Sequence, residues 1–292
     1  MQQKDIFLKD SEAKAANLQH RKTINFNISR YNSVVPIGKT QFIEVDVVRE
    51  NAKNIKWDAI EHLDRYLEQF ENQFTANGGK IIWAETVEQA QEAIAQICKA
   101  KNCTSVVKSK SMATEEIHLN DFLTSMGIES VETDLGEYIQ QLDGEASYHI
   151  VTPAMHKSKE DVAKLFTEKL GTDINLTPEQ LTLVARKNLR AKYTEAEIGI
   201  SGANFIISDI GGIALTENEG NARLSVSMPK THIVIVGIEK VIPSISDLGL
   251  FWPLLSSYGT GQQVTVYNSI ITGPRQQDEV DGPEDMYVIL LD

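Results

Sequence analysis

Cysteine, basic residues and long apolar runs are all scarce in this chain of 292 residues. Cys98 and Cys103 are its only cysteines, and they cannot hold an iron–sulfur cluster, which normally takes four thiolates. The formal net charge of −13 argues against nucleic-acid binding, because that function needs a basic face. No apolar run approaches the roughly 20 residues that cross a bilayer, and the first ten residues lack the pattern of a signal peptide. We therefore expect a cytoplasmic protein with reduced thiols, no membrane span and no nucleic-acid partner.

Common nucleotide, hydrolase and metal motifs are also missing. The sequence contains no GxGxxG stretch, no Walker loop and no GxSxG elbow. Its six histidines are scattered, and none pairs with another at HxxxH or HExxH spacing. We therefore expect neither a metal site nor a resident cofactor in this chain.

The pattern of apolar residues changes near residue 75. Before it the chain is helical in pattern, as in WDAIEHLDRYLEQFENQF (57–74). After it, short strand candidates alternate with helices, which is typical of a parallel sheet covered by helices. The strand candidates are KIIWA, CTSVVKS, IESVETDL, ASYHIVTPA, ANFIIS, GGIALT, ARLSVSM, THIVIVGI, QVTVYNSIITG and MYVILLD. We expect an N-terminal helical region over 1–75 and an α/β domain over 76–292.

Two segments carry more detailed predictions. TPEQLTLVARKNLRAKYTEAEIGI (177–200) suits one long helix, with Thr177 as its N-cap and Pro178 in its first turn. The connections within 203–228 are too short for helices, so its three strand candidates should be antiparallel. ENEGNA (217–222) is then a tight hairpin loop, with its glycine at positive φ.

Candidate ligand-binding residues follow the predicted strands, because ligands of open α/β sheets bind beyond the carboxyl ends of strands. In KSKSMATEE (108–116), Lys108 and Lys110 supply positive charge and the serines supply hydroxyl groups. A phosphate or a carboxylate would fit there, and the alternative is a solvated polar loop. Asp134 and Glu137 follow the next strand and could face the same crevice, although a helix-capping role is favoured for them.

The stretch SDIGGIALTENEGNAR (208–223) crowds polar and turn-forming residues beside strands. Gly211 and Gly212 permit close approach by another segment or by a ligand. Asp209, Glu217 and Arg223 could pair across strands, or one carboxylate could be held for acid–base or nucleophilic work. Spacing alone favours the structural alternative.

The full set of candidates is as follows. Candidate catalytic residues are Asp209, Glu217 and His156, the last as a proton shuttle or as an exposed loop residue. Candidate ligand- or anion-binding residues are Lys108, Ser109, Lys110, Ser111, Asp134, Glu137, Gly211, Gly212, Asn218, Gly220, Arg223, Lys230, Glu239 and Lys240. We expect the loop 108–111 and the glycine corner 211–212 to converge on one hollow.

Several long motifs together resemble one known family. The motifs are VVKSKSMATEEIHLN, VETDLGEYIQQL, HIVTPAMHKSKEDVAKLF, SIITGPR and the stretch from ISGANF to PSISDL. Over roughly residues 40–292 they are similar to the lactate-utilisation protein B family, also called LutB or YkgF. Where that family usually has Glu-Thr-Gly, this chain has Asp209, Ile210 and Gly211, which shortens the carboxylate by one methylene.

The resemblance implies a fold and a role. The fold is the LUD domain, an α/β layered sheet similar to that of NagB, RpiA and CoA transferases, with helices on both faces and mixed strand directions. The role is oxidation of L-lactate to pyruvate together with other subunits, and electrons pass through [4Fe–4S] clusters of a ferredoxin-like C-terminal region that this sequence lacks. The alternative is a stand-alone transferase or isomerase that binds an anionic substrate. The basic loop 108–111 supports this alternative.

Overall fold

The architecture is built from two β-sheets and the helices that cover them. A computed structural model describes residues 3–148 and 152–292. Its α-helices are α1 (Gln3–Ala16), α2 (Leu18–Lys39), α3 (Val45–Glu61), α4 (Leu63–Ala76), α5 (Val87–Ala100), α6 (Met112–Glu116), α7 (Leu119–Ser125), α8 (Leu135–Asp143), α9 (Lys159–Leu170), α10 (Pro178–Glu195), α11 (Asn221–Ser227) and α12 (Leu248–Thr260). Its strands are β1 (Lys80–Ala84), β2 (Ser105–Lys108), β3 (Glu129–Glu132), β4 (Ile198–Ser201), β5 (Phe205–Ile207), β6 (Gly212–Glu217), β7 (Thr231–Gly237), β8 (Val241–Ile242), β9 (Tyr267–Ile271) and β10 (Asp285–Leu291).

The larger sheet has six strands in the order β1-β10-β7-β4-β2-β3, and every neighbouring pair is parallel. The smaller sheet has the order β8-β5-β6-β9 and mixes directions. Its pairs β5–β6 and β6–β9 are antiparallel, whereas β5–β8 is parallel. The predicted parallel sheet and the predicted antiparallel pairing of 205–207 with 212–214 are therefore confirmed.

The strands of the larger sheet are apolar on both faces because both faces are covered. In β7, Ile233 and Ile235 pack in the core formed with α5 and α7. Val234 and Val236 point the other way and pack with α4 and the smaller sheet, since successive side chains of a strand alternate between faces. The layered α/β fold with helices on both faces is thus confirmed, while the specific likeness to NagB, RpiA and CoA transferases stays a prediction.

Helix α10 begins as predicted but ends earlier. The Thr177 side chain accepts from the Gln180 backbone N–H, and the Gln180 side chain accepts from the Thr177 backbone N–H. The helix ends at Glu195, and residues 198–201 form β4. The prediction of one helix over 177–200 is wrong in its last residues, because buried β-branched residues there pair with β2 and β7.

The predicted strand ARLSVSM (222–228) is also wrong, because residues 222–227 belong to α11 and Met228 is the C-cap of that helix. The Glu217 carboxylate accepts from the backbone N–H groups of Ala222 at 2.7 Å and of Arg223 at 2.9 Å. These bonds satisfy free donors of the first helical turn. ENEGNA therefore joins a strand to a helix and is not a hairpin loop, although Gly220 has the predicted positive φ, +80°.

The segment ASYHIVTPA (146–154) was a further predicted strand. Residues 149–151 lie outside the described residues, so the prediction there has no outcome. Residues 146–148 and 152–154 on either side are not in a strand.

The N-terminal part is largely helical, as predicted, because helices α1 to α4 occupy most of residues 3–76. Helix α2 crosses α12 closely, since a Cβ on Gly38 would lie 2.5 Å from the Gly261 carbonyl oxygen. The division at residue 75 stays a prediction, and α4, which precedes it, shares one core with β7 and β10. In the described ranges no helix combines the length and the apolar character needed to cross a membrane.

Candidate functional site

A buried ion pair joins the ends of two neighbouring strands. Lys108 ends β2 and Glu132 ends β3, and the register of the parallel pair puts them opposite each other. Their side chains are 1% and 3% exposed, and Lys108 Nζ lies 2.7 Å from Glu132 Oε1. Lys108 Nζ also donates to Thr114 Oγ1 at 2.9 Å, at the start of α6. Lys108, predicted to meet an anion, is therefore held inside the protein by a carboxylate of its own chain.

One carboxylate oxygen of the ion pair has no hydrogen-bond partner. Glu132 Oε1 also accepts from Asn120 Nδ2 at 2.7 Å, whereas Glu132 Oε2 is buried and has no hydrogen-bond partner. A lysine ammonium has three N–H donors, and Lys108 uses two of them, on Glu132 and on Thr114. Glu132 Oε2 is thus an unsatisfied acceptor in this buried pair, whereas buried polar atoms in native proteins are normally satisfied.

A second buried carboxyl group, Glu137 in the first turn of α8, lies beside this pair. Its carboxylate accepts from Ser147 Oγ at 2.9 Å. Burial raises the pKa of Glu137 to about 7, and the like charges of Glu132 and Glu115 add to the effect. Glu137 therefore exchanges a proton near neutral pH. We call Lys108, Glu132 and Glu137 the buried acid–base group.

The N-terminus of α8 is capped by carboxylates of the chain itself. Asp134 Oδ1 accepts from the backbone N–H groups of Gly136 at 3.0 Å and of Glu137 at 3.1 Å. Glu219 Oε2 accepts from the Leu135 N–H at 3.2 Å. The favoured capping role of Asp134 is confirmed. These bonds also occupy the donors that an anion would use at this helix end.

An open cleft of about 560 Å³ lies over this helix end, between α2 and α8. It is lined by Asn27, Arg30, Tyr31, Val34, Asp134, Leu135, Gly136, Ile139, Thr152, Pro153, Ala154, Met155 and Glu219. Helix α2 is fixed over it by Asn27, whose side-chain amide donates to the Met155 carbonyl at 2.7 Å. The lining of the cleft includes a basic residue and a phenol, Arg30 and Tyr31, and two acidic residues, Asp134 and Glu219.

Lys110 pairs with Asp134, which lines the cleft. Its Nζ lies 3.2 Å from Asp134 Oδ2, and it follows Lys108 by two residues. Ser109 and Ser111 are buried. The Ser109 N–H donates to the Ile200 carbonyl at 2.9 Å, so this part of the loop is tied to β4.

The glycine corner packs against a helix. A Cβ on Gly211 would lie 2.3 Å from the Phe74 backbone nitrogen, at the end of α4, and Gly212 packs beside Ile210. Asp209 Oδ1 accepts from the Ile245 N–H at 3.0 Å. Neither the corner nor the loop 108–111 is among the residues that line the cleft, so the structure does not bring the two together there.

The predicted pairing of Asp209 with the residues around 217–223 is not formed. Asp209 follows β5 near the start of β6, whereas Glu217 is the last residue of β6, about 17 Å of strand further on. Glu217 instead holds the start of α11, and the Arg223 guanidinium lies 5.2 Å from the centre of the Tyr267 ring. Both acids have structural hydrogen bonds, and their catalytic roles stay predictions.

The other candidates lie apart from the cleft. His156 forms a cluster of three mutually contacting rings with His20 and Tyr148, and its Nε2 lies 3.0 Å from Glu145 Oε2. Asn218 Oδ1 accepts from Gln262 Nε2 and from the Val266 N–H. Three exposed candidates are Lys230, which lies 3.7 Å from Glu284, and the neighbours Glu239 and Lys240. Ligand binding by any of them stays a prediction.

The arrangement of the His, Cys, Asp and Glu side chains decides whether the chain can hold a metal ion or an iron–sulfur cluster. In residues 3–148 and 152–292 no group of three or more His, Cys, Asp or Glu side chains is arranged to hold a metal ion. Cys98 and Cys103 are free thiols, and two thiols do not fit a [4Fe–4S] cluster.

Comparison with known proteins places the chain in a family. A profile of the LUD domain matches residues 67–291. The chain belongs to the LUD domain family. This LUD domain is 43% identical over 245 residues to "Lactate utilization protein B" of Bacillus velezensis, a match that covers 84% of this chain and 52% of that protein. It is 44% identical to the protein of the same name from Bacillus licheniformis, with 84% and 51% covered.

A third relative carries a different name. The "Uncharacterized electron transport protein YkgF" of Escherichia coli K12 is 41% identical over 244 residues, with 84% of this chain and 51% of that protein covered. The chain thus spans about half the length of the curated relatives it matches. A crystal structure of a DUF162 family protein from Deinococcus radiodurans covers 79% of this chain and 98% of its own at 14% identity, with a TM-score of 0.45. Similarity at that level decides neither fold nor function.

Several residues of this LUD domain's site were not predicted. Glu132 is the most important of them, because it neutralises Lys108. Glu132 could have been found from the sequence, because it is a charged residue at the end of a short apolar strand. A buried charge is almost always paired, so such a residue predicts a partner of opposite charge. Arg30, Tyr31 and Glu219 line the cleft without any local signal, because helix packing alone brings them there.

Proposed function

We propose that this LUD domain acts in lactate utilisation, as part of a protein that oxidises L-lactate to pyruvate with other subunits of a cytoplasmic system. The observation that carries the proposal is the 41–44% identity to proteins named lactate utilization protein B, over 84% of the chain. The free thiols of Cys98 and Cys103 support the cytoplasmic location.

The site offers chemistry that suits a hydroxy acid. Oxidation of the secondary alcohol to a ketone releases two electrons and two protons, so a base must accept the hydroxyl proton. Glu137 exchanges a proton near neutral pH, as that task requires. Arg30 in the cleft can bind a carboxylate through two parallel hydrogen bonds. The residues of this chain do not fit a [4Fe–4S] cluster. The clusters of the proposed system would therefore be held by residues outside this chain.

A growth experiment tests the proposed function. We expect that a strain without the gene fails to grow on L-lactate and grows normally on pyruvate, because only the first step of lactate use is lost. The intact gene should restore growth when it is returned on a plasmid. Normal growth of the deletion strain on L-lactate, with unchanged lactate consumption in its extracts, would contradict the proposal.

A second candidate is a stand-alone transferase or isomerase that binds an anionic substrate. The cleft volume of about 560 Å³ favours it, because pockets of about 300–1,000 Å³ hold ligands much larger than lactate. A thermal-unfolding screen with lactate, pyruvate, sugar phosphates and CoA esters separates the candidates, since a bound ligand raises the apparent stability. Stabilisation by sugar phosphates or CoA esters alone would favour the second candidate.

A further inference from the structure

The only two cysteines of the chain lie at the turn that ends α5. Cys98 is in the last turn of the helix, and Cys103 lies two residues past the C-cap, Lys101. The Cys103 backbone N–H donates to the Cys98 carbonyl at 2.9 Å. The Asn102 N–H donates to the Lys99 carbonyl at 3.2 Å, and Asn102 has a positive φ, +49°. These features define a Schellman motif, in which the side chains at the positions of Cys98 and Cys103 commonly contact each other.

The backbone of this turn keeps the two cysteines within the range of a disulfide. Because a hydrogen bond of 2.9 Å joins the Cys103 nitrogen to the Cys98 oxygen, standard bond lengths limit the separation of the two Cα atoms to about 6.8 Å. Disulfides span Cα separations of about 4.4–6.8 Å. Both side chains also belong to one core, since Cys98 is buried in it and Cys103 packs against it. A bond between the two sulfurs therefore needs little movement of the backbone.

The two thiols already interact. Their side-chain hydrogen bond lowers the pKa of Cys98 and raises the pKa of Cys103, to which burial adds. The pair therefore loses its first proton more readily than an isolated buried thiol, and the thiolate is the form that reacts with oxidants. Cys98 is 1% exposed, whereas Cys103 is partly exposed, so a small oxidant reaches the pair at Cys103. The Cys103 thiol also donates to the Ser105 carbonyl at 3.3 Å, a weak bond that a disulfide gives up at little cost.

We propose that Cys98 and Cys103 form a redox-sensitive thiol pair, which hydrogen peroxide oxidises to a reversible intramolecular disulfide. The Cys103 thiolate attacks the peroxide and breaks its O–O bond, so Cys103 becomes a sulfenic acid and the released hydroxide takes up a proton to form water. The Cys98 sulfur then displaces the second hydroxide, which leaves as water with the remaining thiol proton. Two thiols and one peroxide thus yield one disulfide and two water molecules. The inference does not depend on the proposed function, and disulfides of reducing compartments are typically transient and redox-sensing.

Peptide mapping of the intact protein by mass spectrometry, before and after treatment with hydrogen peroxide, tests the pair. Trypsin cleaves after Lys99 and after Lys101, so the two cysteines fall on separate peptides, residues 81–99 and residues 102–108. In the unreduced digest of the treated protein we expect these two peptides joined, with the loss of two hydrogen atoms. Dithiothreitol should separate them again and restore both thiols, because a disulfide is reduced by thiol exchange.

The variant Cys98→Ala keeps a small apolar side chain in the core and removes one sulfur. Its Cys103 should accumulate as sulfinic acid under the same treatment, whereas that of the wild type should not, because no second thiol intercepts the sulfenic acid in the variant.

The wild-type protein decides the test even if Cys98→Ala does not fold. Peptides 81–99 and 102–108 that become joined at the same rate at low and at high protein concentration support an intramolecular disulfide. Copies of peptide 102–108 joined to each other, sulfinic acid at Cys103 without the joined pair, or two unmodified thiols would each overturn the inference. The last result would mean that the two cysteines only form the apolar contact of the Schellman motif.

Discussion

Removal of the Lys108 charge is the most direct test of the buried ion pair. The substitution Lys108→Met keeps the length of the side chain, so it creates little empty volume, and it leaves Glu132 buried without its counter-charge. Breaking a buried pair in this way costs about 3–5 kcal/mol, a large part of the roughly 5–15 kcal/mol that holds a typical domain folded. We expect a loss of this size in the free energy of unfolding at pH 7. At about 2 °C for each kcal/mol, the melting temperature should fall by about 6–10 °C.

Urea unfolding, followed by far-ultraviolet circular dichroism, measures this loss. The matched control is Lys192→Met, which breaks the pair of Lys192 and Glu129, whose side chains are 37% and 54% exposed. An exposed pair contributes at most about 1 kcal/mol. The double variant Lys108→Met/Glu132→Gln should recover most of the loss, because it no longer buries an unpaired charge. If Lys108→Met loses no more stability than Lys192→Met, the argument from burial is wrong.

Two further substitutions test the pKa of Glu137 and the packing of the glycine corner. The pKa of Glu137 rises from 4.5 to about 7 on folding, so the folded protein binds more protons than the unfolded chain in that window, and stability falls as pH rises through it by up to about 3 kcal/mol. From pH 5 to pH 8 the free energy of unfolding of Glu137→Gln, measured in urea, should therefore rise relative to that of the wild type. If the difference between variant and wild type is the same at pH 5 and at pH 8, the raised pKa of Glu137 is refuted. Gly211→Ala should lower the melting temperature more than Gly144→Ala, since both have positive φ but only the new Cβ at 211 meets backbone, that of Phe74, at 2.3 Å. If the melting temperature falls by the same amount in both variants, α4 moves away from the new Cβ without loss of stability, and the packing argument is wrong.

Much of the fold could be predicted because apolar periodicity and helix caps are local signals. Strands β1, β2, β3, β5, β6, β7, β9 and β10 coincide with predicted ones, and the capping pair Thr177–Gln180 marks the start of α10. Helix α11 was missed because a segment of seven residues is too short for its apolar periodicity to distinguish a strand from a helix. The carboxylate that caps α11 belongs to Glu217, five residues before Ala222. No local sequence pattern predicts that contact.

The site was predictable only in part, because its key contacts depend on tertiary structure. Lys108, Asp134 and Glu137 were found as polar residues at the ends of predicted strands. The pairing of Lys108 with Glu132 follows from the adjacency and register of β2 and β3. The cleft needs α2 to lie across α8, more than 100 residues later in the chain, and spacing within a sequence does not encode such a contact.

The position of β10 has a consequence for how this chain folds during synthesis. β10 lies between β1 and β7, and Lys80 of β1 pairs with Tyr287, 207 residues later. Strand β1 therefore has no neighbour in the sheet until the ribosome has released the segment around 285–291. Such distant pairing slows folding, and until that moment an incomplete sheet edge is open to other nascent chains.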